Sequence, residues 1–217
     1  WLLSDREFPK LARIFNLHRK FSGLLVDGIE LPSAYGKYAV SRGDDKTRLI
    51  TLRNLTWEPQ KVNIVLDHEI GLEECKRVKC RLYHPVERIL GIYNYGESVE
   101  VTVLPFRSML FYASADESLD GIGVEGTDFE IIKDVVGKPI EINLLGFAGT
   151  QSHIKLNNLP GVEKIEMDGQ DVTKKLSNSK TMNINFEGGK YSKSYHRKIA
   201  DLSPVSIPYD VNTLYEA

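Results

Sequence analysis

The sequence predicts a mainly β protein in which one N-terminal α-helix is followed by two antiparallel β-sandwich-like modules. Three observations predict it. Apolar residues recur three and four apart near the N-terminus, runs of period two fill the chain from residue 37 onward, and an acidic, glycine-rich stretch interrupts those runs near residue 118.

The helix comes first. In SDREFPKLARIFNLHRKFSG, residues 4–23, the positions Phe8, Leu11, Ile14, Phe15, His18 and Phe21 keep helical spacing. Ser4 with Glu7 would form a capping box, or Pro9 would open the helix as its first residue, and Gly23 is the natural stop. At about 100° per residue, Phe8, Leu11 and Phe15 fall on one side and Ile14, Leu17 and Phe21 on the adjacent one, an apolar arc of roughly 200°. Arg13, Asn16 and Lys20 hold the opposite side, which reads as the solvent face. One sheet cannot cover such an arc. The expectation is that Leu11 and Phe15 are buried within the chain and that Ile14, Leu17 or Phe21 is left for a second partner.

From residue 37 the period is two. KYAVSR, TRLITLRNL, QKVNIVLD, VKCRLYHP, ESVEVTVL and SMLFYAS are short β-branched or aromatic runs, separated by the turn material RGDD, TWEP, YNYGE and LPFR. Strands of this length and spacing predict an antiparallel sandwich. The stretch ADESLDGIGVEGTD, residues 115–128, carries five acidic residues and three glycines and reads as linker. Strand texture resumes in DFEIIKDV, KPIEINLLGF, SHIKLN, VEKIEMDG and KTMNINFEG, with glycine turns at MDGQ and FEGGK. The predicted organisation is a helical segment over 1–26, a first sandwich over 27–115, a linker over 116–122, a second β-module over 123–210, and a tail or the start of a further segment over 211–217. With Trp1, Leu2 and Leu3 in place of an initiator Met or a signal segment, the start reads as a boundary within a longer polypeptide.

Composition excludes several function classes. The net charge of -2 comes from 28 basic and 30 acidic residues spread along the chain, so no basic stripe marks a nucleic-acid surface. The longest apolar stretches, such as Ile64 to Leu66, fall far short of the roughly 20 residues that span a bilayer. Cys75 and Cys80 sit five apart with only His84 near, too few ligands for zinc, and read as structural thiols; a local disulfide in an exported protein stays open. No cofactor motif is present: GIGVEGTD lacks the lysine and following helix of a phosphate loop.

Catalytic patterns are equally sparse. His18, His68, His84, His153 and His196 are scattered, with no nucleophile elbow beside any serine. The pairs Asp44 with Asp45 and Asp168 with Asp171 are explained by turn formation, as is the Arg42-Gly43-Asp44 tripeptide. Asn54-Leu55-Thr56 spells a glycosylation acceptor that is common by chance. Aromatics near turns offer the more specific signal. Tyr38, Trp57, Tyr93 and Tyr95, with Tyr35 beside them, could stack on the apolar face of a sugar, although rings near strand ends more often cap the core or a module interface.

The run FPKLARIFNLHRKFSGLLVDG, followed by YAVSRGDDKTRLITLRNLTWEPQKVNIVLD and ending in VEVTVLPFRSMLFYAS, resembles the C-terminal end of bacterial α-galactosidase-like glycoside hydrolases. It covers about residues 5–115 and lies in order and texture rather than in a catalytic motif. The resemblance implies that the last helix of a catalytic (β/α)8 barrel leads into an antiparallel sandwich, with the barrel and its catalytic carboxylates elsewhere in the same polypeptide. It further implies a periplasmic or extracellular setting. KIEMDGQDVTKKL is similar to the β-domains that trail such enzymes. Leu11, Ile14, Phe15, Leu17 and Phe21 are then the interdomain face of the helix, and no catalytic residue carries over. The function expected is a non-catalytic accessory region that buttresses the barrel and contacts oligosaccharide. A tandem-sandwich adhesion protein is the alternative, and the N-terminal helix argues against it.

Overall fold

The computed structural model describes residues 7–116, 121–157, 161–177 and 180–187. They form a mainly β protein with one long N-terminal helix and several antiparallel sheets. Helix α1 spans Phe8–Phe21. Pro9 lies in its first turn, where a missing N–H costs nothing, and His18, Arg19 and Lys20 complement the dipole in its last turn. Glu7 occupies the N-cap without a side-chain cap bond, and Ser4 lies outside the described residues. The chain leaves the helix through a 3-10 turn at Ser22–Leu24.

The first half contains β1 (Gly28–Glu30), β2 (Val40–Gly43), β3 (Thr47–Arg53), β4 (Gln60–Val65), β5 (Arg77–His84), β6 (Arg88–Asn94), β7 (Ser98–Val103) and β8 (Ser108–Ser114). One sheet has the order β1-β2-β3-β8-β5-β6, and β4 pairs with β7 in a second. The period-two pattern explains the layering. Val99, Val101 and Val103 alternate with exposed Ser98, Glu100 and Thr102, and they meet Val62 and Ile64 of β4 and Ile50, Leu52, Val78, Phe111 and Ala113 of the larger sheet in one core. The other side of the larger sheet is apolar too: Leu49, Tyr83 and Tyr112 pack against Leu17 and Phe21 of α1. Burial on both faces is why TRLITLR is covered at successive positions rather than at alternate ones.

The second half contains β9 (Gly123–Glu125), β10 (Asp128–Lys133), β11 (Glu141–Leu145), β12 (Gln151–Asn157), β13 (Glu166–Met167), β14 (Gln170–Asp171), the one-turn helix α2 (Thr173–Leu176) and β15 (Thr181–Asn185). The ladders are β10-β11, β15-β12-β9 and β13-β14. Val124, Phe129, Ile131, Ile154, Val172, Leu176 and Ile184 form their core. MDGQ is the β13-β14 hairpin turn, with Asp168 and Gly169 both at positive φ, as a type I′ turn requires. FEGGK runs into residues outside the description.

Four sequence expectations are corrected. YNYGE is not all turn, since β6 carries Tyr93 and Asn94 and only Tyr95 and Gly96 turn the chain. GIGVEGTD is not all linker, since β9 lies within it. VEKIEMDG is strand only at Glu166–Met167. The helix is rotated relative to its expected burial, as the next subsection describes.

Candidate functional site

Helix α1 buries the stripe Arg13, Leu17 and Phe21, four residues apart, and presents Phe8, Leu11 and Phe15 to solvent. This overturns the expectation that Leu11 and Phe15 are buried: Phe15 is 55% exposed and Leu11 38%, whereas Leu17 and Phe21 are 8% and 2%. Two residues of the expected solvent face, Arg13 and Asn16, are engaged as well, while Lys20 is exposed as expected. Arg13 Nε donates to Glu87 Oε1 at 2.7 Å, its Nη2 to Glu87 Oε2 at 3.1 Å and its Nη1 to Asp134 Oδ2 at 2.8 Å, while Asn16 Nδ2 donates to the Asp134 carbonyl at 3.1 Å. A buried cation is stable only with such partners. Burial disfavours the charge on Arg13, but the bonds and field of Glu87 outweigh it and hold the pKa above its ordinary value.

Glu87 is the centre of this joint. Arg81 on β5 donates to its Oε2, and also donates to the Ile122 carbonyl at 3.0 Å. The Arg81 guanidinium lies over Tyr83 and Phe129, 4.7 Å and 5.2 Å from the ring centroids. The Glu87 backbone pairs with Phe129 in both directions. Helix, first sheet and the strands after residue 121 are therefore tied together through one carboxylate.

A groove of about 590 Å³ runs between the helix and the strands beside it. Ile14, Thr51, His84, Arg107 and Leu110 are among its walls. Burial first, then the charges of Arg107 and Lys10, holds the His84 imidazole below its usual pKa. The groove's carboxylates are both engaged, Glu87 as above and Glu130 with Lys10 at 2.8 Å. The mouth is continuous with exposed Ile14, so the apolar surface of the helix passes into the groove.

The aromatic candidates are divided by the register. Val40 pairs with Thr51 and Arg53 with Ser108, which puts Tyr38, Trp57 and the β7-β8 turn at one end of the sandwich. Tyr93 pairs with Val78 near the other end, and Tyr95 follows it. Tyr93 and Tyr95 pack on the core and donate to the carbonyls of Leu90 and Leu72, and buried Tyr35 donates to Glu69. Tyr38 is exposed, with Lys37 Nζ 5.1 Å from its ring centroid. Trp57 is 83% exposed and meets Phe106 edge-on, centroids 4.6 Å apart and planes at 83°. Phe106 is the residue that the sequence reading missed, because LPFR was read only as turn; an aromatic beside proline at a turn tip was the available signal.

Other sequence features are absorbed by structure. Asp44 Oδ1 accepts from the Lys46 and Thr47 amides and opens the β2-β3 turn, while Arg42 and Gly43 of the Arg42-Gly43-Asp44 tripeptide are the last two residues of β2, a correction to their reading as turn. Asn54 is fully buried and donates to the Glu58 and Val103 carbonyls at 2.7 and 2.9 Å, which leaves no amide for a glycan. Cys75 and Cys80 are free thiols, the latter in the core, where burial pushes its pKa up. Among the described residues no helix is long and apolar enough to cross a membrane, and no group of three or more His, Cys, Asp or Glu is placed to hold a metal ion.

No family model matches the chain, and no curated protein does. It is similar to a solved structure described as an α-N-acetylgalactosaminidase from Bacillus halodurans, with 22% identity and a TM-score of 0.31. The match covers 36% of this chain and spans 18% of the length of that one.

Proposed function

We propose that this chain is a non-catalytic accessory region of a glycoside hydrolase, in which the exposed face of α1 and the adjoining groove seat against the catalytic barrel of the same polypeptide. One observation carries the reading. Phe8, Leu11, Ile14 and Phe15 form a contiguous apolar surface on a helix whose other side is fixed by Leu17, Phe21 and a buried ion-pair network, so the helix cannot roll to hide them. A patch of this kind marks an interaction surface. The sequence resemblance over residues 5–115 supplies the nature of the partner: the helix would be a rigid joint, fixing the sandwich relative to the catalytic cleft. The carboxylates of the groove are held by cations, which suits a supporting role rather than acid-base chemistry.

The test has two arms. The purified chain should hydrolyse aryl α- and β-glycosides no faster than buffer, and turnover abolished by one carboxylate substitution within it would refute the accessory role. The polypeptide encoded upstream of Trp1, produced separately, should bind the chain, and Phe15→Asp with Leu11→Asp should abolish that binding while leaving the far-UV spectrum unchanged. Binding unaffected by these substitutions would refute the helix as the joint.

A further inference from the structure

We propose that the sandwich tip built by Trp57 and Phe106 binds a pyranose ring of an oligosaccharide, with the Trp57 indole as stacking platform. The choice of ligand rests on the glycoside hydrolase reading above; the site itself rests on the geometry of the tip.

Trp57 is 83% exposed, and among the described aromatic side chains only Phe147, at 85%, is more so. Its perpendicular contact with Phe106 leaves at least one indole face open whichever ring supplies the edge. The platform is also held still. Asn54, buried beneath it, donates to the Glu58 and Val103 carbonyls, accepts from the Thr56 amide at 2.8 Å and receives the Thr56 hydroxyl at 2.7 Å. The Asn54 backbone N–H in turn donates to the Arg107 carbonyl at 2.9 Å, so the two turns carrying Trp57 and Phe106 are stitched to one another. Phe106 itself adopts φ of 53°, a left-handed conformation that bulky residues rarely take, and this backbone places its ring at the tip.

Size and rim favour a sugar over a protein partner. The exposed apolar side chains of the two turns are Leu55, Trp57, Leu104 and Phe106, far fewer than the roughly 20–30 residues that each partner gives to a standard protein interface. The dimension is that of one or two sugar rings. Exposed Arg53 at the end of β3 and exposed Glu58 beside Trp57 supply a donor and an acceptor near the apolar tip, which suits hydroxyls that both give and take hydrogen bonds. The ring face of a pyranose is lined by C–H groups, and an indole covers it without any need for charge.

The experiment is a titration of the full chain with lactose, melibiose, maltotriose and cellotriose, followed by ligand-observed saturation-transfer NMR and by tryptophan emission. Saturable binding of at least one sugar is expected, at least about tenfold weaker in Trp57→Ala, intermediate in Trp57→Phe and unchanged in Phe147→Ala, which removes another exposed ring. No saturable binding of any of these sugars up to roughly 50 mM, or binding that survives Trp57→Ala, would overturn the site. Self-association or attachment to phosphatidylcholine–phosphatidylglycerol vesicles that disappears in Trp57→Ala would overturn the sugar assignment in favour of a protein or membrane contact. Far-UV circular dichroism of the variants checks that the fold is kept. Trp57 lies apart from the helix face, so a failed titration leaves the docking of α1 to be judged by its own test.

Discussion

Arg13 and Glu87, 74 residues apart, form a two-pronged ion pair with side chains only 14% and 5% exposed. Arg81 binds the same carboxylate from the opposite element, so Glu87 is shared by two guanidinium groups, and Asp134 supplies the second counter-charge of the joint. Replacing Glu87 with Gln should cost about 3–5 kcal/mol, because it leaves buried cations without their counter-charge. Urea unfolding measures this. The double variant with Arg13→Met should lose less than the sum of the single losses, and Lys61→Ala, which breaks the exposed pair with Glu100, should cost under about 1 kcal/mol.

Asn54 should behave as a structural residue despite its acceptor sequence. Expressed through a eukaryotic secretory pathway, the chain should show no mass increase at this position. Asn54→Ala should cost about 2–3 kcal/mol, since it takes the Asn54 side chain away from the Val103 carbonyl and the Thr56 amide together, while the Glu58 carbonyl keeps the Thr56 hydroxyl. A glycan found there would require the turn over residues 54–59 to open.

The helix was legible in the sequence, but its orientation was not. Hydropathy alone puts Arg13 outside, and its partners Glu87 and Asp134 lie 74 and 121 residues away, beyond the reach of any periodicity. β4 and β7 were legible because one face of each is dry and the other wet. β6 was partly missed because RILGIYN, half-buried at alternate and successive positions alike, has no clean alternation, and three-residue β1 and β9 are too short for one. Trp57 was visible as a turn aromatic; its pairing with Phe106 depends on two turns that approach only when β3 and β8 are zipped together.

Tyr35 should contribute to the alkaline limit of stability. Its phenol donates to Glu69 Oε2 at 2.6 Å and accepts from the Val65 amide at 3.3 Å. Burial, then the bond to Glu69, pushes its pKa well above the ordinary value, against a smaller opposing effect of the Val65 amide. The folded state therefore holds its proton more tightly than the unfolded state does. The resulting stabilisation is fully present below about pH 10, the unfolded pKa, and is lost as pH rises from there through the folded value. Tyr35→Phe should cost about 1 kcal/mol at neutral pH and flatten the decline above pH 10 relative to the parent chain. Cys80 titrates in the same sense through burial, so the difference between the two chains, rather than either curve alone, isolates Tyr35.

The rotated helix makes a prediction about where stability and association part company. Leu17 and Phe21 touch Leu49, Tyr83 and Tyr112, with the Phe21 ring 5.7 Å and 5.6 Å from the two tyrosine rings. Truncating either to Ala removes buried contacts that the sheet cannot close over, at about 2–5 kcal/mol each. Phe15, over half exposed, has no such contacts to lose, so Phe15→Ala should change the unfolding free energy of this chain by under about 1 kcal/mol. Its effect should fall on association, because an exposed ring on a helix with fixed rotation is already placed for a partner and needs no rearrangement to be buried. Measuring both quantities on the same variants separates the roles. Leu17→Ala should lower the urea midpoint without altering the dye-binding apolar surface of the folded state, whereas Phe15→Ala should reduce that surface and leave the midpoint in place. A large drop in midpoint for Phe15→Ala would mean that α1 sits on the sheet by its other face, and the proposed joint would lose its contact surface.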